Sequence, residues 1–194
     1  RIPKSTTKVM DQMIAGLGDS RGLLRRTFAE GLGKMGPKTI PALRKALLLH
    51  SNVTVRRAAA KTLKLVGDPS AVPYLFEALM NDDDPVVQGS SAGAIAIFGE
   101  DAIDYLIKVL INPKSTSMQC GLASWALAFA TTEAPEGLIK AAKSENPTIR
   151  AAAIGALGDR IQSLESIQIQ PLLIRSLDDP AAEVRAEATR VIVN

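Results

Sequence analysis

One histidine, one cysteine and a run of three aspartates are the residues of this chain best suited to chemistry, and their placement permits little of it. A zinc site needs several nitrogen or sulfur ligands, and His50 with Cys120 cannot supply them. No metal ligation is expected. A nucleophilic cysteine needs cationic neighbours to hold it as thiolate. Cys120 stands between Gln119 and Gly121, which reads as a small core or groove residue. His50 ends an expected helix, where it suits the negative end of the dipole, and no Ser/Asp partner can be placed beside it. Asp82, Asp83 and Asp84 precede Pro85 in a turn signal, where aspartate bonds its own backbone. Neither a glycine-rich nucleotide loop nor a Walker loop occurs. What remains is cationic. Residues 1–66 carry 14 Lys and Arg against 3 Asp and Glu, a net of +11, whereas residues 67–194 carry 9 against 17, a net of −8. Clustered positive charge attracts anionic partners and speeds their encounter. The acidic balance of the longer part argues against a phosphate track running the length of the chain, so no nucleic acid is expected.

The elements that must position these cations follow from a repeat. An apolar residue followed by Arg or Gln appears at Leu24-Arg25, Val55-Arg56, Val87-Gln88, Met118-Gln119, Ile149-Arg150 and Val184-Arg185, at intervals of 31, 32, 31, 31 and 35 residues. A period in this range marks a solenoid of stacked supersecondary units. Other columns keep the phase. Small residues follow four or five positions on, at Ala29, Ala59, Ala92, Ala123, Ala153 and Ala188. Apolar residues follow at eight, at Leu32, Leu63, Ile95, Ala126, Leu157 and Ile192. Offsets of 0, 4 and 8 trace one helix face. Gly36, Gly67 and Gly99 follow at twelve, where glycine can end a helix in a left-handed conformation. The pattern predicts an all-α solenoid of about six helix pairs and a single domain over residues 1–194. The first helices of the pairs are expected at 5–17, 38–49, 70–80, 101–111, 134–143 and 167–177. Their partners are expected at 21–35, 53–66, 85–98, 115–130, 147–158 and 181–193. The longer last interval reads as an extended loop within 159–170.

Composition agrees with helices packed through small residues: 46% hydrophobic but only 4% aromatic. No apolar run is long enough to span a membrane. The polar start shows no signal peptide. A single cysteine suits a reducing compartment. A cytoplasmic location is expected.

The stretch from Val55-Arg56 through Ala58-Ala59, Leu63 and Gly67-Asp68-Pro69 to Pro73-Tyr74-Leu75 resembles the HEAT-repeat superfamily. More narrowly, it is similar to the short HEAT-like repeats of phycobilisome lyases. The pattern fades in the fourth repeat, where Ala130-Thr131 replaces the glycine, and the fifth lacks Gly-Asp-Pro. Length and layout resemble most the member of that family that acts in phycobilisome degradation. The resemblance implies a partner of phycobiliproteins, which are acidic, with an open-chain tetrapyrrole such as phycocyanobilin as ligand and no intrinsic cofactor. Any activity would be lyase-like, detaching or handling the chromophore. Two alternatives are a subunit that attaches phycocyanobilin and a non-enzymatic adaptor for an acidic protein.

The resemblance also implies that the helices bearing the Arg or Gln column line the concave side. Arg25, Arg26, Arg56, Arg57, Lys61 and Lys64 would then form a cationic wall, unless the column is an internal ladder between repeats. Beside it, Gln88, Gly89, Gly93 and Gln119 would border a recess of small residues able to hold a flat ligand with acidic groups. Trp125 stands in a column of mostly small residues. It either fills a packing gap, the favoured reading, or presents a stacking plate.

Overall fold

The computed structural model describes residues 4–130, 135–158 and 169–193. The chain divides into two compact units, Arg1–Phe98 and Gly99–Asn194. Every regular element among the described residues is helical.

The first unit holds α1 (Lys4–Gly16), α2 (Gly22–Met35), α3 (Ile40–Leu49), α4 (Val53–Val66), α5 (Val72–Asn81) and α6 (Pro85–Ile95). Short 3-10 turns precede α3 and α5 and follow α6. Helices α1, α3 and α5 form one layer and α2, α4 and α6 the other, each pair packing within itself and against the next. The turn residues start the helices. Asn52 Oδ1 accepts the Thr54 N–H at 2.8 Å, and Asp84 Oδ1 accepts those of Val86 and Val87 at 3.0 and 2.9 Å. These side chains satisfy donors that a helix N-terminus leaves unpaired. The core is leucine-rich, with Leu17, Leu32, Leu43, Leu47, Leu63, Leu75 and Leu79 fully buried. Ala59 and Ala92, of the small-residue column, are also fully buried.

The second unit holds α7 (Glu100–Ile111), α8 (Ser117–Ala130), α9 (Pro135–Ala141), α10 (Pro147–Gly158), α11 (Ile169–Ser176) and α12 (Ala182–Val193). Here α7 packs on α8, α9 on α10, and α10 broadly on α12. Gly158 permits that last approach, since a Cβ there would clash with the Val191 side chain of α12; at Gly155 one would meet only the movable Glu187 carboxylate.

The twelve expected helices are present, most within two residues of their expected ends. The expected loop at 159–170 lies outside the described residues except Ile169 and Gln170, which begin α11. Five column positions differ. Leu24, Ala29 and Ile149 are only half-buried, Ile192 is exposed while Val191 takes the buried place, and Met118 is exposed while Gln119 is buried. The cause at Gln119 is local. Thr116 N–H donates to Gln119 Oε1 at 2.9 Å, and Gln119 N–H donates to Thr116 Oγ1 at 3.2 Å. This reciprocal capping box fixes the start of α8 and turns Gln119 inward.

The three expected helix-ending glycines have positive φ, at 73°, 68° and 54° for Gly36, Gly67 and Gly99. Gly67 is left-handed, with ψ of 20°, and its N–H bonds the Leu63 carbonyl. Added bulk would meet nothing within 4 Å there, so only backbone strain opposes a side chain. Gly67→Ala should cost about 1 kcal/mol, read as a lower urea midpoint with an unchanged slope; an unshifted midpoint would refute the strain.

Candidate functional site

The Arg and Gln column builds an internal ladder. Arg25 Nη1 donates to the Asp19 carbonyl at 2.6 Å, Arg56 Nη1 to that of His50 at 3.0 Å and Gln88 Nε2 to that of Asp82 at 2.6 Å. Arg150 Nη1 donates to Ser144 O at 2.9 Å and Arg185 Nη1 to Asp179 O at 2.8 Å. Each acceptor lies six residues upstream, in the turn after the preceding helix. The side chain thus satisfies turn carbonyls that no helix ladder would pair.

The outer edge of the guanidinium joins one repeat to the next. Arg56 Nε and Nη2 donate to the two oxygens of Asp82 at 2.8 and 3.1 Å. Arg150 does the same to Asp179 at 2.9 and 2.8 Å. Arg57 Nε and Nη2 meet both oxygens of Asp84 at 3.0 and 2.8 Å. That hydrogen bond with Arg57 is the largest cause holding the Asp84 carboxyl down at about 2, helped by the Val86 and Val87 N–H groups. Arg150 lowers Asp179 in the same way. The turn acids therefore cap helices and tie repeats together.

This sorts the sequence-derived candidates. Arg25, Arg56 and Gln88 belong to the ladder, and Gln119 to the capping box; Gln88 and Gln119 are only 8% and 4% exposed. Arg57 is half-buried against Asp84, and Arg26 pairs with Glu30 at 2.7 Å. Lys61 and Lys64 are exposed on α4 with no ion pair among the described residues. Lys34, on the adjoining α2, is also exposed. The open cationic surface of the first unit thus centres on lysines.

Gly89 and Gly93 lie on α6, both half-buried. This helix also carries two buried polar atoms without a hydrogen-bond partner, Gln88 Oε1 and Ser91 Oγ. Such atoms cost about 1–3 kcal/mol each.

Trp125 is 52% exposed on α8, so it is a surface ring and not a core filler. Phe129 lies one turn on, with ring centroids 5.9 Å apart and planes at 31°. Met118, Leu122, Trp125 and Phe129 share one helical face, and all but the half-buried Leu122 are exposed. The sequence reading singled out Trp125 alone, although the spacing of 4, 3 and 4 residues would have found the stripe. Beside α8 a cavity of about 390 Å³ opens between it and α10, walled by Ser124, Leu127, Ala151, Ala152 and Gly155 and rimmed by Arg190. Cys120 is half-buried on the same helix. His50 caps α3, its Nδ1 accepting the Asn52 N–H at 3.0 Å. No His, Cys, Asp and Glu group among the described residues could hold a metal ion. No described helix is long and apolar enough to cross a membrane.

The HEAT repeats family profile matches residues 10–96, 40–119 and 103–193. The bilin biosynthesis protein MpeU of Synechococcus sp. (strain WH8020) is 47% identical over 191 residues, covering 98% of this chain and 64% of that protein. The bilin biosynthesis protein PecE of Mastigocladus laminosus is 28% identical over 151 residues, 74% of this chain and 55% of that protein. The chain spans less than two thirds of either relative. A solved chain from "Structural Basis of Microtubule Plus End Tracking by XMAP215, CLIP-170 and EB1" is 20% identical, with a TM-score of 0.53 over 99% of this chain and 90% of that one. At that identity the likeness concerns the fold alone. Both of these relatives are described by bilin biosynthesis. The expected likeness to the phycobilisome-degradation member is therefore not supported, and the alternative of a bilin-attaching subunit fits better.

Proposed function

This chain belongs to the HEAT-repeat family, and on that premise we propose that it acts on the attachment side of bilin chemistry, presenting an open-chain tetrapyrrole such as phycocyanobilin to a phycobiliprotein. The observation that carries this reading is the 47% identity to a bilin biosynthesis protein along 98% of the chain. The exposed lysines of α2 and α4 support it, since they suit an acidic protein partner.

The chemistry asked of such a protein is modest. Addition of a partner cysteine S–H across a carbon–carbon double bond of the tetrapyrrole forms the C–S bond and places the proton on the adjacent carbon. There is no leaving group and no change of redox partner. A protein that holds the bilin extended against the partner thiol contributes by proximity and orientation. The exposed Trp125–Phe129 pair offers a flat apolar surface for a conjugated ligand. In this reading Cys120 is not the acceptor, because the thiol belongs to the phycobiliprotein.

The test mixes the purified chain, phycocyanobilin and an apo-phycobiliprotein, then measures chromophore that survives denaturation on each polypeptide. Covalent bilin on the partner, formed faster than without the chain and undiminished by Cys120→Ser, is the expected result. Bilin bonded to Cys120, or a rate equal to the uncatalysed one, would overturn the reading; partner binding without transfer would leave a non-enzymatic adaptor.

A further inference from the structure

The second unit is acidic overall, yet its lysines are not scattered. Residues 99–194 contain four, Lys108, Lys114, Lys140 and Lys143. Three of them, Lys108, Lys140 and Lys143, border one groove between α7 and α9. The groove has a volume of about 570 Å³, within the range of small-molecule sites.

Its construction follows from helical spacing. Asp104, Ile107, Lys108 and Ile111 lie at intervals of 3, 1 and 3 residues and share one face of α7. Gly137, Lys140 and Ala141 form the facing strip of α9. A Cβ on Gly137 would crowd the δ-methyl of Ile103 of α7, so the glycine leaves room for that side chain. Ile107, Ile111 and Ile149 supply an apolar lining, and the three ammonium groups stand at its exposed rim. Lys108 Nζ lies 4.8 Å from the centre of the Tyr105 ring, which adds an aromatic face beside the groove. Asp104 and Glu145 also border it, but neither is ion-paired with these lysines. The charge of the rim is therefore available to a ligand.

An apolar trough with several cations along its edge selects an elongated apolar molecule bearing more than one carboxylate. We infer that the α7–α9 groove is a bilin-binding subsite, in which Lys108, Lys140 and Lys143 hold the propionates of an open-chain tetrapyrrole over the isoleucine lining. The inference rests on the proposed handling of bilins and adds to it the place where the ligand's carboxylates sit. Apolar burial would supply affinity, and ammonium–carboxylate contacts would fix orientation.

The test is titration of the purified chain with phycocyanobilin, followed by visible absorbance. The parent is compared with Lys108→Gln/Lys140→Gln/Lys143→Gln and with Lys61→Gln/Lys64→Gln, each checked for helicity by far-UV circular dichroism. These exposed substitutions should leave folding intact. The expected result is binding weakened about tenfold or more in the α7–α9 variant, with the α4 variant near the parent. Phycocyanobilin dimethyl ester should bind parent and α7–α9 variant alike. Two outcomes sink the subsite while leaving bilin handling in place: unweakened binding by the α7–α9 variant, and displacement of the bilin by dodecanoate at equal concentration. A parent that binds no bilin at all refutes the proposed function and the subsite with it.

Discussion

Arg56→Ala should destabilise the protein by about 3 kcal/mol, because it strips one buried acceptor set and strands a carboxylate. The Arg56 guanidinium bonds both oxygens of Asp82 and the carbonyls of His50 and Ser51. The Asp82 side chain is only 7% exposed, so its carboxylate depends largely on protein partners. Removing one member of a buried pair costs more than the pair itself contributes. The Arg57–Asp84 bridge sits nearer solvent, with side chains 35% and 21% exposed, and Arg57→Ala should therefore have the smaller effect. Urea denaturation of the two variants gives the comparison. Equal losses would mean that Asp82 is not confined as the structure places it. Partial rescue of Arg56→Ala by Asp82→Asn is also expected, since that change removes the stranded charge.

Leu63→Ala should cost a similar amount, about 3 kcal/mol, through lost burial and the cavity left behind. Leu63 is fully buried on α4, which packs against α2 on one side and α6 on the other. Stability in a repeat stack is carried by such nearest-neighbour interfaces, so loosening α4 weakens two of them at once. The control is Leu23→Ala on α2, where the leucine is 77% exposed; it should change stability by less than about 0.5 kcal/mol. Urea midpoints at constant slope measure both. A Leu63→Ala midpoint no lower than that of Leu23→Ala would overturn the assignment of α4 as the central helix of its unit.

Much of the architecture was legible in the sequence. Helical periodicity is a local property: an apolar residue every three or four positions must lie on one face whatever surrounds it. That is why the columns headed by Val55 and Val87 located α4 and α6, and why Gly67 marked the end of α4. The turn acids were readable too, as Asp84 and Asn52 cap the helices that follow them. The capping box at Thr116 and Gln119 had its sequence signature, yet the repeat phase suggested a ladder position and hid it.

The family and the bilin connection were in the residues as a resemblance; the side of bilin metabolism was not. Degradation and attachment would use the same scaffold and the same ligand, so length and layout could not separate them. The names of two relatives, both bilin biosynthesis proteins, support the attachment reading proposed above.

By itself the sequence determined the helices, their pairing, the charge difference between the first 66 residues and the rest, and the absence of metal-binding motifs. Only the tertiary structure decided which cations are committed. Arg56 and Arg57 look alike in sequence to Lys61 and Lys64, but Asp82 and Asp84, 26 and 27 residues further on, engage the arginines and leave the lysines exposed. It also decided that Trp125 faces outward and that Lys108, Lys140 and Lys143 meet around one groove. The physical reason is common to all three: periodicity fixes which residues share a helix face, whereas the packing of one helix on another decides what that face meets.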